Sequence, residues 1–195
     1  DLFAPIGKSK SNFTYDEASE FIIDNFHSFD SKLANFVKNA FENNWIDAEP
    51  REGKRGGAFC SNIQAIGESR VLANFNGSFS NLTTLAHELG HAYHGHCLKD
   101  ESILNTDYPM PLAETASIFN ETIISRAAID EAEKEEAISI LENSISQASQ
   151  VIVDIYSRFT FEKNLFEKRK NSSLSVEELK ELMLDAQKTA YGNGL

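Results

Sequence analysis

The run His87-Glu88-Leu89-Gly90-His91, continuing through Ala92 and Tyr93 to His94, constrains this chain more than any other stretch. On an α-helix, residues four apart stand on one face about 6 Å apart in rise, so the imidazoles of His87 and His91 can grip one metal ion. Zinc is the ion this spacing suits, with the intervening Glu88 beside the metal as a proton acceptor for water. Four of the five histidines (His87, His91, His94 and His96) fall within this one stretch. A solvated helix face that happens to carry histidines is the plain alternative.

Two histidines leave a catalytic zinc one protein ligand short, so a second element must bring another donor to the helix. His94 lies roughly 10 Å of rise from His87, too far to share the ion without distorting the helix. It is expected behind a ligand or in the cleft. A metzincin would carry glycine at position 94 and histidine at position 97, where this chain has His94 and Cys97. A carboxylate from a separate helix is the remaining common solution. Glu114 is the best placed, with Asp100, Glu101 and Asp107 as competitors in or near a loop.

The 195 residues suffice for one domain with a buried core, and 41% hydrophobic content fits a globular protein. A formal net charge of -12 repels nucleic acid and anionic membrane, so neither is expected as a partner. The sequence contains no apolar run long enough to span a bilayer and no cleavable signal, and Cys60 and Cys97 do not make a disulfide framework. Both cysteines are predicted to be inert core thiols, and a reducing cytoplasm is the expected compartment.

Along the chain, Asp1 to Lys10 reads as extended or irregular. Thr14 and Glu17 form a capping box ahead of Ala18, Ile22, Phe26 and Phe29 at helical spacing. His27, near the end of that helix, is expected to be partly exposed or hydrogen-bonded rather than a ligand. Asp30 can cap a second helix striped by Leu33, Phe36, Val37, Ala40 and Phe41. From Trp45 to Phe79 the character changes: a glycine-rich turn at Gly53, Gly56 and Gly57 precedes two predicted strands, Gly57 to Ile63 and Arg70 to Phe75. The second strand leads to the metal helix, capped by Ser80 or Asn81. Its Leu72, Ala73 and Asn74 are therefore the expected contacts for a peptide adding as a further strand.

Pro111 can begin the helix carrying Glu114 and Glu121, which project from one face, with Ala113, Ala116 and Ser117 small enough for another helix to approach. From Glu133 to about Lys170 a helical pattern places Leu141, Ile145, Ala148, Ile152, Ile155 and Phe159 in a stripe expected to pack on the metal-site helices. Ser175 and Glu178 form a capping box for a last helix.

The runs Thr84 to Ala92 and Leu112 to Glu121, with the upstream Trp45-Ile46-Asp47 and Gly53-Lys54-Arg55-Gly56-Gly57-Ala58, resemble the oligoendopeptidase F branch of the thimet oligopeptidase family. The resemblance implies a mainly α fold with a small β-sheet, a zincin-like, gluzincin-type helical metallopeptidase catalytic domain incomplete at both ends, with residues 1–195 as a single partial domain. It further implies one zinc held by His87, His91 and Glu114, Glu88 as general base, Glu121 orienting a ligand from behind, and oligopeptides as substrates in a deep cleft. Family members place oxyanion-stabilising tyrosine and histidine beyond the long helices. A chain ending at Tyr191-Gly192-Asn193-Gly194-Leu195 is therefore expected to bind zinc but to cleave peptides poorly alone.

Two other classes fit some of these residues. One is a non-catalytic zinc-binding helical module that binds peptides. The other is a di-iron carboxylate bundle, for which Glu88-Leu89-Gly90-His91 supplies one Glu-x-x-His motif but the chain has no second. Oligomeric state is not encoded in any recognisable pattern.

Overall fold

The computed structural model describes residues 12–194; the expectation for Asp1 to Lys10 lies outside them. Thr14 opens α1 (Tyr15–Phe29) with the predicted capping box: its Oγ1 accepts from the Glu17 amide at 3.2 Å and its own amide donates to the Glu17 carboxylate at 2.8 Å. Ala18, Ile22 and Phe26 form the buried face. Asp30 ends α1 and caps α2 (Ser31–Glu42), accepting from the Lys32 amide at 2.8 Å. The end of α2 is set by Asn44, whose φ of 56° turns the chain so that the Trp45 amide reaches the Ala40 carbonyl at 3.0 Å. The two helices pack as a hairpin on Ile22, Phe26, Leu33 and Val37, all essentially inaccessible.

Three short strands follow, β1 (Ile46–Asp47), β2 (Phe59–Ile63) and β3 (Glu68–Leu72), in the order β1-β3-β2. β1 pairs parallel with β3, and β2 pairs antiparallel with it, Phe59 opposite Leu72 and Ile63 opposite Glu68. One buried side chain ties the strand ends together. The Lys54 ammonium, its side chain 2% exposed, donates to the carbonyls of Asp47, Glu49 and Ala73 and to the Asp47 carboxylate at 2.6–3.0 Å.

The sheet packs on α3 (Phe79–Cys97), the helix at the centre of this part of the molecule. Ser78 caps it, accepting from the Asn81 amide, rather than the predicted Ser80 or Asn81. The Asn81 side chain is instead used by the preceding turn, accepting from the Asn76 amide at 2.8 Å. Leu82, Leu85 and Leu89 are fully buried, each contributing about 2 kcal/mol. After a loop, α4 (Met110–Glu131) lies along α3, with Pro111 in its first turn and Ser117, Asn120, Ile124 and Ala128 on its inward face.

The described residues fall into two compact units, divided near Ala137 and Ile138. The second holds most of α5 (Lys134–Ser149), a π-helical segment (Gln150–Ile155), α6 (Tyr156–Arg169) and α7 (Val176–Tyr191). α7 starts at the predicted Ser175–Glu178 capping box and packs on α6. The predicted stripe is not the buried face here. Ile145, Ile152 and Phe159 are 60–71% exposed, whereas Ile140, Ser157, Leu182 and Ala186 are buried. Leu141, Ile145, Ala148, Ile152, Ile155 and Phe159 are all exposed, before the π-turn and after it, because the face that α7 covers is the one carrying Ser157. None of the helices among the described residues is long and apolar enough to cross a membrane.

Candidate metal centre

The site is built where α3 and α4 run side by side. Four-residue spacing puts His87 and His91 on the same face of α3, ring centroids 4.9 Å apart and nearly perpendicular. From α4, Glu114 Oε2 stands 3.2 Å from His87 Nε2 and 3.7 Å from His91 Nε2. These two imidazoles and this carboxylate can present donor atoms all within 4.8 Å of one another, and they form the one such group of metal-ligating side chains among the described residues. Tetrahedral zinc with N and O donors at about 2.0–2.2 Å separates neighbouring donors by about 3.4 Å. The observed spacings bracket that value, so the donor set fits zinc with little movement. Asp100, Glu101 and Asp107, the competing carboxylates, are exposed and outside the group.

Small residues allow the two helices to come this close. A Cβ on Gly90 would lie 2.7 Å from the Ser117 Cα and 2.9 Å from the Ala116 carbonyl oxygen, closer than atoms can approach. Gly90 therefore seats the backbone of α4 directly on the histidine helix. On another side of α3, Gly95 makes room for the Asn62 side chain of β2, whose atoms would lie 2.3–2.5 Å from a Cβ there. One helix thus holds the third donor and the sheet in register with its own histidines.

Glu121 lies behind His87, its Oε2 3.2 Å from the imidazole Nδ1. A proton on Nδ1 donated to this carboxylate leaves the Nε2 lone pair aimed at Glu114 and the metal position. This hydrogen bond is the main cause raising the His87 pKa above its usual value, over the opposing effect of burial. His91 is shifted the other way, first by burial and then by the neighbouring His87 charge. Glu88 is 6% exposed, and burial, reinforced by repulsion from Glu114, pushes its carboxyl above the usual carboxylate range against the attraction of His87. The residue between the two histidines is thus a buried carboxylate with enhanced basicity.

His94 is not among the donors. Its ring stacks on Tyr108 at 4.2 Å, and its Nδ1 is buried without a hydrogen-bond partner among the described residues. His96 packs against Phe36, centroids 4.7 Å apart. His27 is exposed, as expected. Of the two cysteines, Cys97 is exposed rather than in the core, because it falls at the last residue of α3. Cys60 is half-buried on β2, its thiol pushed up to about 12 chiefly by desolvation. At neutral pH it is a thiol, not a nucleophile.

Leu72, Ala73 and Asn74 do not have the free strand edge expected of them. Leu72 lies in the central strand, flanked by Asp47 and Phe59. The Ala73 amide donates to the Asp47 carbonyl and its carbonyl accepts from Lys54, while the Asn74 side chain donates to the carbonyls of Arg55 and Gly57. The hydrogen-bonding edge next to α3 belongs to β2 instead, where Cys60 is near enough to Glu88 for that carboxylate to raise its pKa. The run Gly57 to Ile63 read as a strand in sequence, but that the strand leading to α3 has no free edge depends on β1 pairing on the far side of β3. Those two residues gave no strand signal.

Comparison with known proteins places this arrangement among related chains. Oligopeptidase PepF of Bacillus subtilis (strain 168) is 27% identical over 199 aligned residues, which take in 100% of this chain and 30% of that protein. The chromosomal oligoendopeptidase F of Lactococcus lactis subsp. cremoris is 32% identical over 136 residues, 69% of this chain and 22% of the relative. In fold, the chain is similar to a candidate peptidase from Chlamydophila abortus (TM-score 0.75, 24% identity, 98% of this chain and 32% of that one). It is also similar to PZ peptidase A solved with an inhibitor (TM-score 0.65, 20% identity, 97% and 34%). The chain therefore spans about a third or less of the length of the proteins it matches. The profile of peptidase family M3 matches residues 14–193, nearly the whole chain and the entire two-helix site, and the chain belongs to that family.

Proposed function

We propose that this chain carries the zinc centre of an oligoendopeptidase, with His87, His91 and Glu114 holding one zinc ion and Glu88 acting as general base in peptide-bond hydrolysis. The observation that carries the reading is the approach of Glu114 to both histidines at near-tetrahedral donor spacing, from a helix separate from theirs. Bound zinc supplies a Lewis acid that makes water a competent nucleophile near neutral pH. Glu88 would accept a proton from the attacking water and pass it towards the leaving amine, and its raised pKa suits both halves of the transfer. Glu121 holds His87 in the tautomer that keeps Nε2 free. A peptide running along the free edge of β2 would exchange main-chain hydrogen bonds with Phe59 to Ile63, which are close to Glu88 through Cys60.

Membership of a peptidase family favours this reading over the peptide-binding module without catalysis. Over the di-iron alternative it is favoured by the donor set, which has two imidazoles and one carboxylate around one position rather than two Glu-x-x-His motifs. The deciding experiment is metal analysis of the purified chain with a quenched-fluorescence peptide assay. One zinc per chain, with cleavage abolished by a chelator and restored by zinc, is the expected result. Stoichiometric zinc with no cleavage of any peptide in a random library, by this chain and by a form extended to the length of its relatives, would leave the module reading in its place.

A further inference from the structure

Resting on the zinc reading above, the geometry points to Ser117 as a positioning residue that fixes the Glu114 carboxylate in its ligand rotamer. The Ser117 Oγ lies 3.0 Å from Glu114 Oε2, the same oxygen that faces His87 Nε2 and His91 Nε2. It lies equally near, at 3.0 Å, the Glu114 backbone carbonyl. A serine hydroxyl has one proton to donate, and of these two acceptors the ionised carboxylate is the stronger. The i, i+3 spacing puts the hydroxyl and the carboxylate on the same face of α4. Glu114 is otherwise a flexible side chain, 43% exposed, and a donor to one of its oxygens removes most of that freedom before the metal arrives.

Ser117 is suited to hold that donor still. The residue is completely buried, so water cannot replace the hydroxyl without opening the helix pair. Its Cα rests on Gly90, within the His87 to His91 run itself. The anchor of the third ligand is therefore seated on the helix that carries the first two. Ser117 and Glu114 sit on the same helix and move together, and the backbone contact with Gly90 limits how far both can shift from the histidines on α3. Deleting the hydroxyl removes little volume and substitutes a better helix former, so Ser117→Ala is expected to fold.

The test is zinc affinity, measured by competition with a chromophoric chelator on the metal-free chain, for the parent, Ser117→Ala, Glu114→Ala and the double variant. Removing an outer hydrogen bond to a metal ligand typically weakens binding about 10- to 100-fold, and that loss is expected for Ser117→Ala. The metal-free melting temperature should stay within about 4 °C of the parent. In the Glu114→Ala background the same substitution should change zinc affinity by less than about twofold, since the hydroxyl then has no ligand to hold. Parental affinity in Ser117→Ala, with Glu114→Ala weakened, overturns the inference and leaves the zinc reading standing: the hydroxyl then serves its own backbone. An equal loss in both backgrounds, or a lowered metal-free melting temperature that accounts for the loss, assigns Ser117 to helix packing and also overturns it. Absence of zinc binding in the parent overturns both readings.

Discussion

His87 and Glu121 meet at 3.2 Å through Nδ1 and Oε2, and this contact commits one side of the imidazole to the protein and leaves the other for the proposed zinc. Nε2, on the other side of the ring, is 3.2 Å from Glu114. The same contact makes the ring harder to deprotonate, so one carboxylate both aims the ligand and sets the proton competition for it.

That competition has a definite sign. Zinc needs neutral imidazoles, and of the pair His87 is shifted up and His91 down, so His87 is the last to release its proton as pH rises. Zinc affinity is expected to fall as pH drops through the raised His87 pKa. In Glu121→Gln that pKa moves down, so the fall begins at lower pH, while affinity at neutral pH drops about 10- to 100-fold through loss of the outer carboxylate. Chelator competition between pH 5 and 8 measures both. A variant with the parental pH profile would separate Glu121 from His87 in function.

Glu88→Gln should retain zinc and lose peptide hydrolysis by about 10²- to 10⁴-fold, because glutamine keeps the shape and cannot accept the proton. Metal content and turnover measured on the same sample check this. Residual turnover within about tenfold of the parent would remove Glu88 from the role of base.

Glu114→Ala should weaken zinc sharply, and Asp107→Ala should leave it unchanged, since Asp107 is exposed and outside the donor group. Equal zinc content of the Glu114→Ala and parent chains after dialysis against a mild chelator contradicts the ligand set.

Gly90→Ala tests the close approach of the helices. Alanine gains about 1 kcal/mol over glycine in a helix. Here the new methyl meets the backbone of Ser117 and Ala116 at 2.7–2.9 Å, and overpacking of this kind costs about 1–3 kcal/mol or more. The clash is with backbone rather than a movable side-chain tip, so net destabilisation of about 2 kcal/mol is expected in urea denaturation, with weaker zinc binding as α4 is pushed away. A more stable variant with parental zinc affinity would show that the helices can part freely.

Lys54→Met should destabilise the metal-free chain by about 2–4 kcal/mol, because three carbonyls and the Asp47 carboxylate lose a shared charged donor in a buried position. A shift in the urea midpoint at constant slope measures it. A change below about 0.5 kcal/mol would mean that water satisfies these groups equally well.

Local patterns in the chain carried a great deal of this protein. Capping residues Thr14, Asp30 and Ser175, each bonding within three residues of itself, were readable because their partners are sequence neighbours. The same holds for His87 and His91, whose common face follows from helical pitch alone. The Glu114 assignment came from counting what zinc requires, and its distance to the histidines came from the packing of α3 on α4. Sequence could not reveal that Leu72 is flanked on both sides, because a strand's place in a sheet depends on long-range pairing and β1 is two residues long. Nor could it show that α7 covers a face of α6 other than the apolar stripe, since which face is buried depends on a partner remote in sequence. Ser117 read only as a small residue permitting close approach. Its hydroxyl acquired a partner because Gly90 brings the two helices together, a distance set by atoms that are remote in sequence and touch only when the core has formed.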